Sequence, residues 1–389
     1  MALPLSYNVR NVRIRWRVTL LALVGIALVV SVFVVLLAMS AGFETTLRST
    51  GRTDNVIIVQ RGSASEMTSG VPLDQRQMIL ADDRIARDAD GQPMASWEWV
   101  VVIAMPKRAD GSPTNVTMRA VIPRTFDVRG GIKIVQGRNF KPGIDEVIVG
   151  HKIMDRIRGL ELDGTLRYEQ KEFKIVGVFE SEGQAFESEI WGDFDVLGAQ
   201  FHRGAGSNSV VARMKNAADI PALNKWIRAQ PQMQLQALSE KKYYEDQAGS
   251  LATVLRVLAG GVALITGLGA VVGAMNTMNA IVAARTREIA TLRALGFSRR
   301  SILFSFVLES VLLAFVAGVF GCLLAFPMNG FSTGTGQTQS FSEIAFAFRI
   351  TPGVVMAGLI FAVLMGAVGG FLPALRAARL PIARAFREV

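Results

Sequence analysis

Residues 278–308 read MNAIVAARTREIATLRALGFSRRSILFSFVL. An apolar run stops at Arg285 and resumes at Ile302. Between them Arg285, Arg287, Arg293, Arg299 and Arg300 stand against one acid, Glu288. A short cationic segment between two apolar ones has the character of a cytoplasmic loop joining two membrane helices, because basic loops are retained on the cytoplasmic side. Inside it Ile289, Leu292 and Leu295 follow an i, i+3 rhythm, and Gly296 stands where a helix would be capped. The reading is a short amphipathic helix, basic on its exposed face. It either lies flat on lipid or docks into a soluble partner.

Working outward, four stretches are long and apolar enough to cross a bilayer core of about 20 helical residues. They fall at 18–39, within 251–284, at 302–326 and at 354–372. Only Arg256 and Glu309 interrupt them. The first run is longer than the roughly 7–15 residues of a signal-peptide core and reads as a retained span.

The chain has 389 residues, half of them hydrophobic, and a net charge of +10. On a soluble domain such a charge would point to nucleic acid. Its distribution says otherwise. Arg10, Arg13, Arg15 and Arg17 precede the first span without an acid, and Arg376, Arg379, Arg384 and Arg387 follow the last with only Glu388. Residues 43–250 carry 27 basic and 28 acidic side chains and are nearly neutral. The excess charge is therefore a topology signal, helped by anionic lipid. It places both termini and the 285–301 loop in the cytoplasm and residues 43–250 outside, and it leaves no role for nucleic acid.

The expected fold is a membrane protein with four transmembrane α-helices and a large α+β extracytoplasmic domain between the first and second. Within that domain 55–60, 97–104, 115–122 and 173–179 read as strands, and 75–88 and 220–229 as helices. Residues 62–70 read as a loop. A single cysteine, Cys322, and two histidines, His151 and His202, rule out a disulfide framework and give no metal site. Glu180, Glu182, Glu187, Glu189, Asp193 and Asp195 lack the register of a calcium loop and read as a solvated stretch. No catalytic motif appears, so no catalytic residue is assigned. Trp97 and Trp99 share one strand face and read as core or lobe–lobe packing.

The second span exceeds the bilayer, and its outer end is expected to project as a stalk. Gly269 and Gly273 form a small-xxx-small pair that marks a helix-packing seam, between subunits or within the chain. Glu309, about two turns into the third span, is costly unless partnered; it either reaches water or an arginine, or serves as a structural or gating partner.

The segments NTMN (276–279) and RTREIATLRALGFSRRSIL (285–303), FVLESVLL (306–313) with Gly318 and Gly321, and PALRAARLPIARA (373–385) together resemble the MacB/FtsX-type (type VII) ABC transporter permeases. GRNF (137–140), DEVIVG (145–150) and FKIVGV (173–178) resemble that family's periplasmic domain. The resemblance implies an inner-membrane permease half that couples ATP hydrolysis to movement of its periplasmic domain. It implies a cytoplasmic segment 1–17, a first span 18–42, a periplasmic domain 43–250 of two lobes and a second span with stalk 251–284. A coupling helix 285–301, a third span 302–326, a short periplasmic loop 327–352, a fourth span 353–372 and a cytoplasmic tail 373–389 follow. The coupling helix would dock on an ABC ATPase through Arg285, Arg287, Glu288, Arg293 and Gly296, with Ile289, Leu292 and Leu295 as its apolar anchor.

No Gly-x-x-x-x-Gly-Lys-Ser/Thr occurs in the sequence, so ATP and magnesium are expected on a separate ATPase, in two copies. A second permease copy, identical or related, is implied as well. Efflux or export with a periplasmic adaptor and an outer-membrane channel is the leading use. Lipoprotein release, which would need an exposed apolar groove between the first two spans, and regulation of a cell-wall hydrolase are the alternatives.

Overall fold

The computed structural model describes residues 16–336 and 343–380. Arg10, Arg13, Arg15, Arg384 and Arg387, expected as flanking charges, lie outside the described residues.

In chain order the elements are α1 (Trp16–Ser49), β1 (Asn55–Gln60), α2 (Leu73–Leu80), β2 (Ala95–Pro106), β3 (Pro113–Val121), α3 (Thr125–Arg129), β4 (Lys133–Gly137), β5 (Glu146–Gly150), α4 (His151–Met154), β6 (Thr165–Tyr168) and β7 (Lys171–Glu180). There follow β8 (Glu189–Asp193), α5 (Phe194–Gln200), β9 (Ser209–Arg213), α6 (Ile220–Ala229), β10 (Leu235–Ser239), α7 (Glu240–Ala284), α8 (Thr286–Ala294), α9 (Arg299–Ala325), β11 (Ser332–Gly336), β12 (Glu343–Ala347) and α10 (Pro352–Ala378). The chain divides into two compact units. A helical unit takes the chain up to Gly42, Thr253–Phe331 and the chain from Ala347 onward; a sheet unit takes Phe43–Ala252 with Ser332–Phe346.

Among the described residues four helices are long and apolar enough to cross a membrane. Residues on α1 (Ile26, Val30, Val34, Ala38), α9 (Ala314, Ala317) and α10 (Ala362, Met365) form one buried cluster with Ala274 of α7. Glycines set the closest approaches. A side chain at Gly366 or Gly370 of α10 would collide with Ala314 or Ser310 of α9, and one at Gly321 with the α1 backbone at Ala27. The Ser310 hydroxyl donates to the Gly366 carbonyl at 2.7 Å. Ser298 and Thr351 cap α9 and α10 by accepting from the Ser301 and Val354 amides. Helix α7 is longer than the expected 251–284: it starts at Glu240 and runs 45 residues.

In the sheet unit the ten strands follow the order β10-β1-β9-β2-β3-β8-β5-β7-β4, with β6 on β7. The β3–β8 and β5–β7 pairs are parallel and the rest antiparallel. Twelve-residue β2 is the joint: Ala95–Glu98 pair with β9 and Trp99–Pro106 with β3. Strand alternation then divides the chemistry by face. One face bears two apolar cores, one around Ile103, Met118, Phe173 and Ile190, the other around Ile58, Ile79, Val210 and Leu223; Trp97 packs against both. The opposite face carries Ser96 and Glu98 of β2, Arg119 of β3 and Glu189 of β8, all buried.

Three local readings are corrected. The helix expected over 75–88 stops at Leu80, because the Asp82 carboxylate accepts from the Arg84 amide at 3.0 Å and closes a turn, and Ile85 bridges to Met214. In the 327–352 loop, β11 pairs with β12; Glu343 of β12 accepts from Arg156 at 2.5 Å and from Thr114. The acidic stretch is not solvated throughout: Glu187, Glu189 and Asp193 are buried, and each accepts hydrogen bonds from protein donors.

Candidate functional site

Helix α8 is bounded by two specific residues. Arg285 occupies its N-cap at the break from α7. At the other end Gly296 takes a left-handed backbone, with φ of 91°. The Gly296 amide then donates to the Arg293 carbonyl and the Phe297 amide to the Leu292 carbonyl, each at 3.1 Å, the paired closure that satisfies a helix end.

Arg285 is buried, and its guanidinium links three elements. Nη1 donates to Glu309 Oε2 of α9 at 2.9 Å, and Nε donates to Glu288 Oε2 at 3.1 Å. The same guanidinium lies 4.9 Å from the Phe306 ring centre. Arg285 is thus the partner of Glu309, an arrangement that both readings of that carboxylate allow. Spacing alone did not reveal the pair, because 24 residues separate the two side chains.

The apolar residues of α8 divide between two environments. Ile289 turns inward into a cluster with Met278, Ile281 and Val282 of α7, Ile302 and Phe306 of α9, and Ala374 and Ala377 of α10. It is unavailable to a docking partner, a correction to its place in the expected anchor. Leu292 and Arg293 are half-buried; Arg287, Glu288, Gly296 and Leu295 are exposed, Leu295 at 72%. α8 is thus seated on its own bundle by one face and open on the other.

Among the described residues Gly269 and Gly273 make no close approach: a side chain added at either would meet nothing within 4 Å. They line a groove of about 440 Å³ with Gly25, Ile26, Val29 and Ala270. The glycines that pack the bundle are others, Gly318, Gly321, Gly358, Gly366, Gly369 and Gly370. The GG pair at 369–370 was available in the sequence, but nothing in its spacing singles it out from the chain's 37 glycines.

A second concentration of charge lies in the sheet unit. Arg119 makes two hydrogen bonds to Glu189, of 2.7 and 2.8 Å, and one of 2.7 Å to Glu98. Arg129 grips Glu98 at 3.0 and 2.6 Å and also pairs with Glu240 at the start of α7. Glu66 accepts from Arg119 at 3.0 Å and from Ser209 at 2.7 Å. Burial would raise the Glu98 carboxyl, but the Arg129 and Arg119 guanidiniums outweigh it and hold it at about 2. At Glu240 burial wins over Arg129, and the carboxyl is pushed up. Each carboxylate here is held by an arginine, with Glu189 also accepting from the Trp191 indole at 2.7 Å. The arrangement is a paired structural network.

Four membrane-length helices, with a mixed-sheet domain inserted between the first and second, define a multi-pass membrane protein with one large extracytoplasmic domain. Residues 19–230 match the family model of the MacB-like periplasmic core domain, and residues 260–382 match that of the FtsX-like permease C-terminal domain. The chain belongs to the MacB/FtsX-type ABC transporter permeases. It is 24% identical over 404 residues to YvrN of Bacillus subtilis, described as an uncharacterized ABC transporter permease, covering 95% of both chains. It is also 24% identical over 270 residues to the macrolide export ATP-binding/permease protein MacB of Neisseria gonorrhoeae; the match covers 66% of this chain but 41% of that protein. Among solved structures, the periplasmic region of MacB from Actinobacillus actinomycetemcomitans aligns over 50% of this chain and 92% of its own, with a TM-score of 0.38 and 12% identity.

Proposed function

We propose that this chain is the inner-membrane permease subunit of an ABC transporter. In it, ATP hydrolysis on a separate ATPase, which binds the ATP and magnesium, is converted into a conformational change of the extracytoplasmic domain. Both termini and α8 then face the cytoplasm, and α8 is the contact with the ATPase. The observation that carries this reading is the seating of α8. Ile289 ties it to three membrane helices, and Arg285 ties it to Glu309, while Arg287, Glu288 and Leu295 remain open. A displacement applied to the open face is passed to α7, α9 and α10 together, because a packed interior transmits strain rather than absorbing it. The spans carry few charged side chains, which favours work on a substrate outside the membrane over a polar path through it. Export is supported by the function named for the MacB relative. A second permease copy, a periplasmic adaptor and an outer-membrane channel complete the assembly in this reading.

A second reading, lipoprotein release, is favoured by the groove at Gly25, Ile26, Val29, Gly269 and Gly273, an apolar opening between the first two spans. One experiment separates the two: a mild-detergent pull-down of the full chain beside its Leu295→Asp variant, with mass spectrometry of what is retained. An ATPase and an adaptor with the wild type, and loss of the ATPase with the variant, is the expected result. An ATPase with a second, different permease moves the assignment to lipoprotein release. Retention of the ATPase by Leu295→Asp refutes α8 as the contact.

A further inference from the structure

Among the described residues four arginines are buried: Arg76, Arg119, Arg129 and Arg285. Three of them are ion-paired, with carboxylates at 3.1 Å or closer. Arg76, on α2 of the sheet unit, makes no salt bridge although only 8% of it is exposed, and its Nη1 has no hydrogen-bond partner. A buried guanidinium without a hydrogen-bonded carboxylate is costly, and proteins keep one only where something repays it.

Its surroundings are built as a cleft. Arg76 lies 4.6 Å from the Trp97 ring centre. Trp97 and Trp99 flank Phe194, the first edge-on and the second stacked at 16°, with centroid separations of 6.5 and 6.4 Å. These side chains line a cavity of about 480 Å³, with Arg203 and the exposed Asp195 also among its lining residues. Trp99 also lines an adjoining cavity of about 470 Å³ beside Gln75 and Ser207. Four of the ten buried side-chain polar atoms without a partner among the described residues belong to residues lining these two cavities: the Arg76 Nη1, the Trp99 indole N–H, the Gln75 Oε1 and the Ser207 hydroxyl. Burial pulls the Arg76 guanidinium down from its ordinary value, with only the Asp195 charge acting the other way.

We propose that this cleft is a binding site for a small amphipathic anion, a flat aromatic or ring-shaped body carrying a carboxylate or an equivalent acid. The indoles and Phe194 would take the ring, Arg76 the acid, and the Trp99 N–H a further acceptor. The cavities fall in the 300–1,000 Å³ range of small-molecule sites, which favours a small ligand over a protein segment. The assignment does not depend on the transport reading, because binding is measured directly.

The test is isothermal titration of the full chain in zwitterionic nanodiscs, with empty nanodiscs as reference. The probes are 2-naphthoate and its neutral analogue 2-naphthamide. Saturable naphthoate binding is expected, weakened tenfold or more in Arg76→Met, with the response to naphthamide unchanged. Because methionine keeps the apolar stem and removes the uncompensated charge, Arg76→Met should melt at the wild-type temperature or higher. A second variant, Trp99→Phe, keeps an aromatic wall but removes the N–H and one fused ring, and should weaken naphthoate. Three results would overturn the proposal: wild-type binding no greater than that of empty nanodiscs, equal naphthoate affinity in Arg76→Met, or a lowered melting temperature with both probes lost. An acidic peptide binding more tightly than naphthoate, and dependent on Arg76, would replace the small molecule with a protein partner.

Discussion

The ion pair between Arg285 and Glu309 gives a quantitative test of how α8 is held. Both side chains are almost fully enclosed, at 5% and 4% exposed, and their contact is 2.9 Å. Removing one partner of a buried pair leaves an uncompensated charge and costs about 3–5 kcal/mol, whereas replacing both with apolar groups of similar volume is near neutral. The two single changes are not equivalent. In Glu309→Leu, Arg285 retains Glu288 at 3.1 Å, and Glu288 is 52% exposed and so partly hydrated. That residual partner lowers the expected cost to about 2 kcal/mol. Arg285→Met strands Glu309 and loses the contact with Phe306, so it should cost about 4 kcal/mol. Arg285→Met with Glu309→Leu should recover most of that loss, giving an interaction energy of at least about 2 kcal/mol in a double-mutant cycle. The assay is equilibrium unfolding of the full chain in bicelles, with ATP turnover of the reconstituted complex measured in parallel. The double variant should unfold like the wild type yet lose coupled turnover, since stability returns without the directional link. A cycle that closes to within about 0.5 kcal/mol, or equal losses in the two single variants, would refute the reasoning.

Three further outcomes follow from charge and packing elsewhere in the chain. Glu98 is held at about 2 in the folded protein against an ordinary 4.5, so its stabilisation is fully present above pH 4.5 and is lost as pH falls toward 2. The raised Glu240 acts oppositely, costing stability as pH rises through its ordinary value, so a thermal melt read from pH 7 to 3 should show an acid limb that Glu98→Gln diminishes; an unchanged limb would remove Glu98 from the account. Gly370→Leu should prevent stable folding, because the new side chain meets Ser310 and overpacks the α9–α10 contact. Gly273→Leu, facing open space, should fold normally and instead break association of two copies in detergent sizing; a normally folded Gly370→Leu would refute the packing account.

How much of this is legible in the sequence depends on the range of the interaction concerned. Membrane helices are legible in contiguous composition, and all four stand out on that ground. Strand β1 is legible at its observed bounds because its central VIIV, residues 56–59, is β-branched. The second half of the 75–88 helix failed because apolar spacing at Ile79 and Ile85 continues past Leu80, while the break comes from Asp82 capturing a backbone amide. The hairpin partners of Glu343 were invisible for another reason: Arg156 is 187 residues away and Thr114 is 229 away.

The same distinction explains which parts of the candidate sites could be seen. Periodicity located α8 and put Ile289, Leu292 and Leu295 on one helical rhythm, but it carries no information on which neighbour that rhythm faces. Ile289 faces the bundle only because α7, α9 and α10 converge there, while Leu295 has passed beyond the last helical turn and stands free. Charge follows a parallel rule. Alternation along β2 and β3 shows that Glu98 and Arg119 leave the apolar face, and either solvent or a partner would satisfy that pattern. Burial decides it, since an ionised side chain removed from water persists where an opposite charge meets it. By that criterion Arg119, Arg129 and Arg285 are accounted for by carboxylates within hydrogen-bond reach, and among the described residues Arg76 is the buried arginine without one.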